Sequence, residues 1–304
     1  MRLAVAALAV VACAVVAGCT YTPLPESKTA GSAARPPADV SSLGSQWSLT
    51  FDATFPGSKL NTSVWGTCYP WQSPSGCTNY GNSDEYEWYV PAQDQVYGGA
   101  LHLVPQRTPT EGLASDGTPK EYQYRSGIVT TYPSYDFTYG YVQVVARIPY
   151  GSGLWPALWM LPANLQWPPE IDIIEHYGDS LVSWQHLHSP AYPTQLAFEP
   201  TPNLSRGWHV FGLYWSPSQV IWFIDGQRVY DDTHAVPDQS MYLIANLAVY
   251  QQVKSGWNPS SDSMAIESVS VWQAKSYPRT GHPLGRLLPG TAGPGGPATR
   301  LPAS

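Results

Sequence analysis

Pro168-Pro169-Glu170-Ile171-Asp172-Ile173-Ile174-Glu175 places three carboxylic acids within six residues of a segment whose other side chains are isoleucines. β-Branched residues favour extended backbone, so the segment reads as a strand. Side chains alternate faces along a strand, so Glu170 and Asp172 share one face while Ile171 and Ile173 point into a core. Strict alternation would send Glu175 to the core side. A one-residue bulge around Ile173-Ile174 restores it, because a bulge sets two residues against one and re-aims those that follow. The three acids then line one concave surface. Crowded carboxylates cannot all ionise freely, so at least one is expected to hold a proton near neutral pH. A protonated acid beside an ionised one is what acid/base chemistry needs.

Taken alone, this pattern also fits the solvated face of an ordinary antiparallel strand. The residues upstream, Gly153-Leu154-Trp155-Pro156-Ala157-Leu158-Trp159-Met160-Leu161-Pro162, argue against that. Trp155 and Trp159 are candidates for flooring a groove beside the acids, as platforms on which sugar rings stack; the competing reading makes each a core tryptophan. Further out, almost every segment reads as strand and turn: Trp47 to Phe51, Leu101 to Val104, Tyr141 to Ile148, His209 to Trp215, Met241 to Val249 and Ile266 to Trp272. Asp225-Gly226 between the apolar runs starting at Val220 and ending at Tyr230 is a strong hairpin signal. Many short strands with regular turns imply an all-β sandwich or barrel and exclude a parallel α/β sheet.

The ends of the chain read differently. Met1-Arg2 precedes an apolar run, Leu3 to Ala17, too short to span a bilayer comfortably and suited to export. Residues 1–18 are expected to be a signal peptide of lipoprotein type, because Val16-Ala17-Gly18-Cys19 resembles a lipobox in which Cys19 is lipidated. Residues 19–45 read as a flexible linker rich in Pro, Ser, Ala and Gly, and residues 276–304 as a disordered tail. One domain, 46–275, remains.

Within that domain 20 Asp or Glu stand against 9 Lys or Arg, a net charge of about −11. No nucleic-acid partner is expected, since phosphate binding needs basic surface. The 13 Trp and 20 Tyr of the chain favour a neutral glycan handled by aromatic faces over a sulfated one. Cys68 and Cys77 are the cysteines of the exported domain, and in an oxidising compartment they are expected to pair. Closing that ten-residue loop stabilises by about 2.7 kcal/mol in the chain-entropy account. No metal site is expected from residue spacing, and a monomer is expected.

The order G-x-W-P-A-L-W-M-L-P followed by E-I-D-I-I-E resembles glycoside hydrolase family 16 in its bulged, laminarinase-like form. The likeness continues through Phe55 to Asn61 with Trp65, Tyr124-Arg125-Ser126-Gly127, Phe137 to Gly140, Trp208 to Trp215, Phe223 to Gly226 and Tyr242 to Val249. It implies a concanavalin-like jelly-roll β-sandwich with a concave substrate cleft. It also implies a retaining, endo-acting hydrolase of a neutral β-glucan, β-1,3-linked above all, with Glu170 as nucleophile, Glu175 as acid/base and Asp172 tuning protonation between them. The residues alone leave the two glutamates interchangeable. His188 falls where relatives carry a sugar-contacting histidine, and His186 shares its strand face. The sequence departs from the pattern twice. Tyr250-Gln251 replaces a glycine pair, and Ala53-Thr54 stands where many relatives have an acid that helps hold calcium. No cofactor is therefore expected to be required, with structural calcium a disfavoured alternative. Transglycosylation, a galactan or agarose substrate, and non-catalytic carbohydrate binding stay open beside glucan hydrolysis. The polysaccharide and, through Cys19, the outer face of the cell membrane are the expected partners, with secretion as the alternative to anchoring.

Overall fold

The computed structural model describes residues 43–71, 78, 85–114, 116–151, 153–178, 181–190, 195–250 and 262–277, with only the backbone course for 195–199. The signal segment with Cys19, most of the linker, Cys77, and the tail from residue 278 lie outside the described residues.

Two antiparallel sheets carry the fold. One has the order Gln227–Asp232, Gln219–Ile224, His209–Ser216, Gly140–Arg147, Met264–Ala274, Ala100–Leu103, Asp94–Tyr97, with Trp47–Thr54 also paired to Met264–Ala274. The other runs Gln195–Pro200, Val182–His188, Glu170–Glu175, Leu154–Pro162, Met241–Val249, Ile128–Thr130. Among the described residues the helical content is one 3-10 turn, Pro91–Gln93. Of the sandwich or barrel expected from the strand pattern, the sandwich is what forms, in agreement with the jelly roll that the resemblance implies. The Asp225-Gly226 hairpin is also present, with φ of 50° and 75° at those two residues. Two successive left-handed residues are what a two-residue type I′ turn requires.

The acid strand lies inside the second sheet, between Leu154–Pro162 and Val182–His188. On one side Leu158 pairs with Ile174 and Trp159 with Asp172, leaving Ile173 as the extra residue. On the other side Asp172 pairs with His186 and Glu175 with Trp184, three steps against two. This is the bulge that the placement of the acids demanded. Ile171, Ile173 and Ile174 are all buried in one cluster with Val144, Phe211, Leu213, Trp222 and Val271 of the opposing sheet. Burying each isoleucine contributes about 1.5–3 kcal/mol, so the core anchors the strand through the residues that flank the irregularity. Trp222 reaches across the sandwich and donates its indole N–H to the Asp172 carbonyl at 2.8 Å. A buried main-chain acceptor beside the bulge is thereby satisfied from the other sheet.

Candidate active site

Cross-strand partners share a face. Glu170 is opposite His188, Asp172 opposite both Trp159 and His186, and Glu175 opposite Ala157 and Trp184. The next strand adds Asn246 opposite Ala157 and Ala248 opposite Trp155. Register thus gathers three acids, two histidines, three tryptophans and an asparagine on the face turned away from the core.

Each acid has its own surroundings. Glu170 accepts a hydrogen bond from the Trp167 indole N–H through Oε2. Glu175 accepts one from Trp155 Nε1 at 2.8 Å and a longer one from the Tyr177 hydroxyl at 3.3 Å, both through Oε1. Its other oxygen, Oε2, contacts His186 Nδ1. Asp172, 2% exposed, has Oδ2 within 3.5 Å of His186 Nδ1 and 3.6 Å of His188 Nε2.

These contacts set the charges. Burial and the neighbouring Asp172 push the Glu170 carboxyl well above its ordinary range, with the Trp167 N–H working the other way. Burial also opposes charge on Asp172, but His186 and His188 outweigh it and hold the carboxyl down at about 2. For His186 burial disfavours the proton, and Asp172 with Glu175 overcomes it, so the imidazole is pushed up to about 10. Asp172 is therefore a fixed negative charge between the two glutamates, and that charge adds to burial in raising Glu170.

The structure brings together Glu170, Asp172, Glu175, Trp155 and His188, as the sequence pattern expected. His186 belongs with them, and it bridges Asp172 and Glu175. The tryptophans separate. Trp155 is half-buried, tied to Glu175 and packed on Tyr177 with centroids 4.9 Å apart. Trp159 is 7% exposed, donates its N–H to Asn246 Oδ1 at 2.8 Å and is flanked by Tyr69 and Trp71. As an open sugar platform Trp159 is corrected. It is a packed member of the wall, because Tyr69 and Trp71 cover it. Asn246 in turn donates to the Tyr89 hydroxyl at 2.9 Å, extending this support to the short strand Glu87–Tyr89. Trp167, Tyr177 and Trp184 escaped sequence reasoning. Trp184 could have been found, since it alternates with His186 and His188 along Val182–His188. The disulfide expectation has only Cys68 among the described residues.

A two-sheet jelly roll with two glutamates flanking an aspartate on one sheet face, each glutamate held by an indole, has the build of a sandwich glycosidase. The chain belongs to the Glycosyl hydrolases family 16, whose profile matches residues 83–276. It is 32% identical over 199 residues to endo-1,3-1,4-beta-glycanase EglC of Rhizobium meliloti (strain 1021), covering 61% of this chain and 42% of that one. Identity to the beta-glucanase of Rhodothermus marinus is 30% over 240 residues, 70% of this chain and 79% of the relative. The solved catalytic domain of an endo-1,3-beta-glucanase (laminarinase) from Thermotoga petrophila RKU-1 matches with a TM-score of 0.65 at 25% identity, covering 76% of this chain and 99% of that one. The chain spans less than half the length of the rhizobial glycanases it matches.

Proposed function

We infer that this protein is a retaining, endo-acting glycoside hydrolase of a neutral β-glucan, with β-1,3 linkages as its first substrate. The observation that carries the reading is the bulge at Ile173, which returns Glu175 to the face of Glu170 and Asp172. The names of the glucanase relatives support the substrate class.

In this reaction Glu170 attacks the anomeric carbon as the bond to the leaving oxygen breaks, and Glu175 gives that oxygen its proton. Water then attacks the glycosyl-enzyme, loses a proton to Glu175 and frees Glu170. The Trp167 N–H stabilises the charge that Glu170 must carry to attack, and the Trp155 N–H fixes the carboxyl of Glu175. Retention needs the two carboxyl groups about 5–5.5 Å apart, whereas four regular strand steps span about 13 Å at the backbone. Glu170 and Glu175 pair with His188 and Trp184, four steps apart on the neighbouring strand, so closing that difference falls to the curvature of the sheet and the reach of the two glutamate side chains. Two carboxyl groups and water complete the chemistry, so no cofactor enters it.

The test is a screen of the purified protein against laminarin, mixed-linkage glucan, xyloglucan, agarose and galactans, reading reducing ends, followed by NMR of the first product. Release of β-anomer from a β-1,3-glucan is expected. Initial α-anomer would overturn retention, and cleavage of agarose alone would move the substrate to galactans. Lengthened products with an added acceptor would assign transglycosylation. Export with a lipid on Cys19 completes the reading, supported by the residues before that cysteine. Cys19→Ser should shift the protein from the membrane fraction to the medium. A Cys68–Cys77 bridge goes with that compartment, and non-reducing peptide mapping should recover it.

A further inference from the structure

Asp172, His186 and His188 each offer one ligand atom, and these three atoms lie within 4.8 Å of one another. Zinc–ligand bonds of about 2.0–2.2 Å in a tetrahedron put ligand atoms roughly 3.3–3.6 Å apart. The two separations from Asp172 Oδ2, 3.5 Å to His186 Nδ1 and 3.6 Å to His188 Nε2, match two edges of that figure. Asp172 is 2% exposed, and its Oδ2 meets no hydrogen-bond donor in acceptable geometry. A buried acceptor in that condition is poorly satisfied by the protein alone.

We propose that Asp172 Oδ2, His186 Nδ1 and His188 Nε2 form a binding site for a divalent transition-metal ion, Zn²⁺ or Cu²⁺, whose occupation reversibly blocks the hydrolytic site. Two imidazoles and one carboxylate suit zinc and copper, whereas magnesium and calcium favour all-oxygen shells. The placement explains the block. An ion there engages the carboxylate that lies between Glu170 and Glu175 and takes, with release of its proton to solvent, the imidazole nitrogen that now contacts Glu175. The ion is an inhibitor and takes no part in the hydrolytic steps. The inhibition rests on the hydrolase reading, but the binding does not.

Binding is therefore measured without substrate, by calorimetric titration of the untagged full chain with Zn²⁺, alongside His186→Ala and His188→Ala. One saturable site is expected, weakened at least about tenfold in each variant, as loss of a ligand demands. Electron paramagnetic resonance of the Cu²⁺-loaded wild type should show coupling to two imidazole nitrogens, a readout that does not depend on how the variants fold. Zn²⁺ should also inhibit glucan cleavage, with activity restored by a chelator. Unchanged Zn²⁺ affinity in both folded variants, no saturable binding at millimolar Zn²⁺, or a Cu²⁺ spectrum without nitrogen coupling would overturn the site. Site-dependent Zn²⁺ binding by a protein that cleaves no glycan would leave the site standing and remove the hydrolase reading instead.

Discussion

Deleting Ile173 tests whether the bulge serves to aim Glu175. Ile173 is the residue without a counterpart on the neighbouring strand, where Leu158 meets Ile174 and Trp159 meets Asp172. Its removal leaves Glu170-Ile171-Asp172-Ile174-Glu175, in which strict alternation keeps all three acids on one face. Register with Ala157 and Trp184 is kept as well, because three steps against two become two against two. The deletion costs a side chain that is 2% exposed, and truncating a buried isoleucine destabilises by about 2–5 kcal/mol. For a domain of this size that is a fall in Tm of roughly 4–20 °C, read by calorimetry. Catalytic groups displaced by about 1 Å can lose a hundredfold in rate, so kcat/KM on a β-1,3-glucan is expected within about a hundredfold of wild type. It should stay well above that of Glu175→Gln. An alanine inserted between Ile174 and Glu175 instead turns Glu175 to the core side and should abolish activity. A folded deletion variant no more active than Glu175→Gln would refute the reasoning, as would an insertion variant that remains active.

Other perturbations test the separate parts of the site. Glu170→Ala should lose hydrolysis of an activated aryl glycoside and regain turnover with azide, giving the inverted glycosyl azide; an adduct of retained configuration would make Glu175 the nucleophile. Trp167→Phe removes the N–H donor to the Glu170 carboxylate, a charge-assisted bond worth about 1.5–3 kcal/mol. Glu170 must be ionised to attack and its pKa is already raised, so kcat/KM should fall about ten- to a hundredfold on the acid side and recover as pH rises. A uniform loss at every pH would show that Trp167 acts elsewhere. Asp94 is buried, and that burial raises its pKa well above the ordinary range, offset only in part by the Ile128 backbone. The folded state therefore keeps a proton that the unfolded state releases above its own, lower pKa, and stability contributed by this group declines as pH rises from there toward the folded value. Asp94→Asn should raise Tm at pH 7 and leave it nearly unchanged at pH 3; equal shifts at both would refute the assignment.

Period-two alternation, the Asp-Gly turn and the Met241–Val249 run made the sandwich legible, because these signals are local: alternation follows burial of one face, the turn follows left-handed backbone, and the run follows burial on both faces. The bulge was legible for the same reason: three acids and three isoleucines could not otherwise be sorted between cleft and core. The roles of the tryptophans were not. Trp155 and Trp159 stand four apart on one strand face, and what divides them is what other strands and loops bring. Glu175 comes to Trp155 from 20 residues away, and Asn246 to Trp159 from 87. His186 shows how far register decides such questions. Alternation places it on the same side as His188, so either could have been the partner of the acids. Pairing Glu170 with His188 and Asp172 with His186 sets both imidazoles around Asp172. The extra residue then shortens the opposing strand's path by one step, bringing Glu175 opposite Trp184 and against the His186 ring. The same irregularity that returns Glu175 to the cleft thus supplies the imidazole it touches, and a residue of the core side, Ile173, is what couples them.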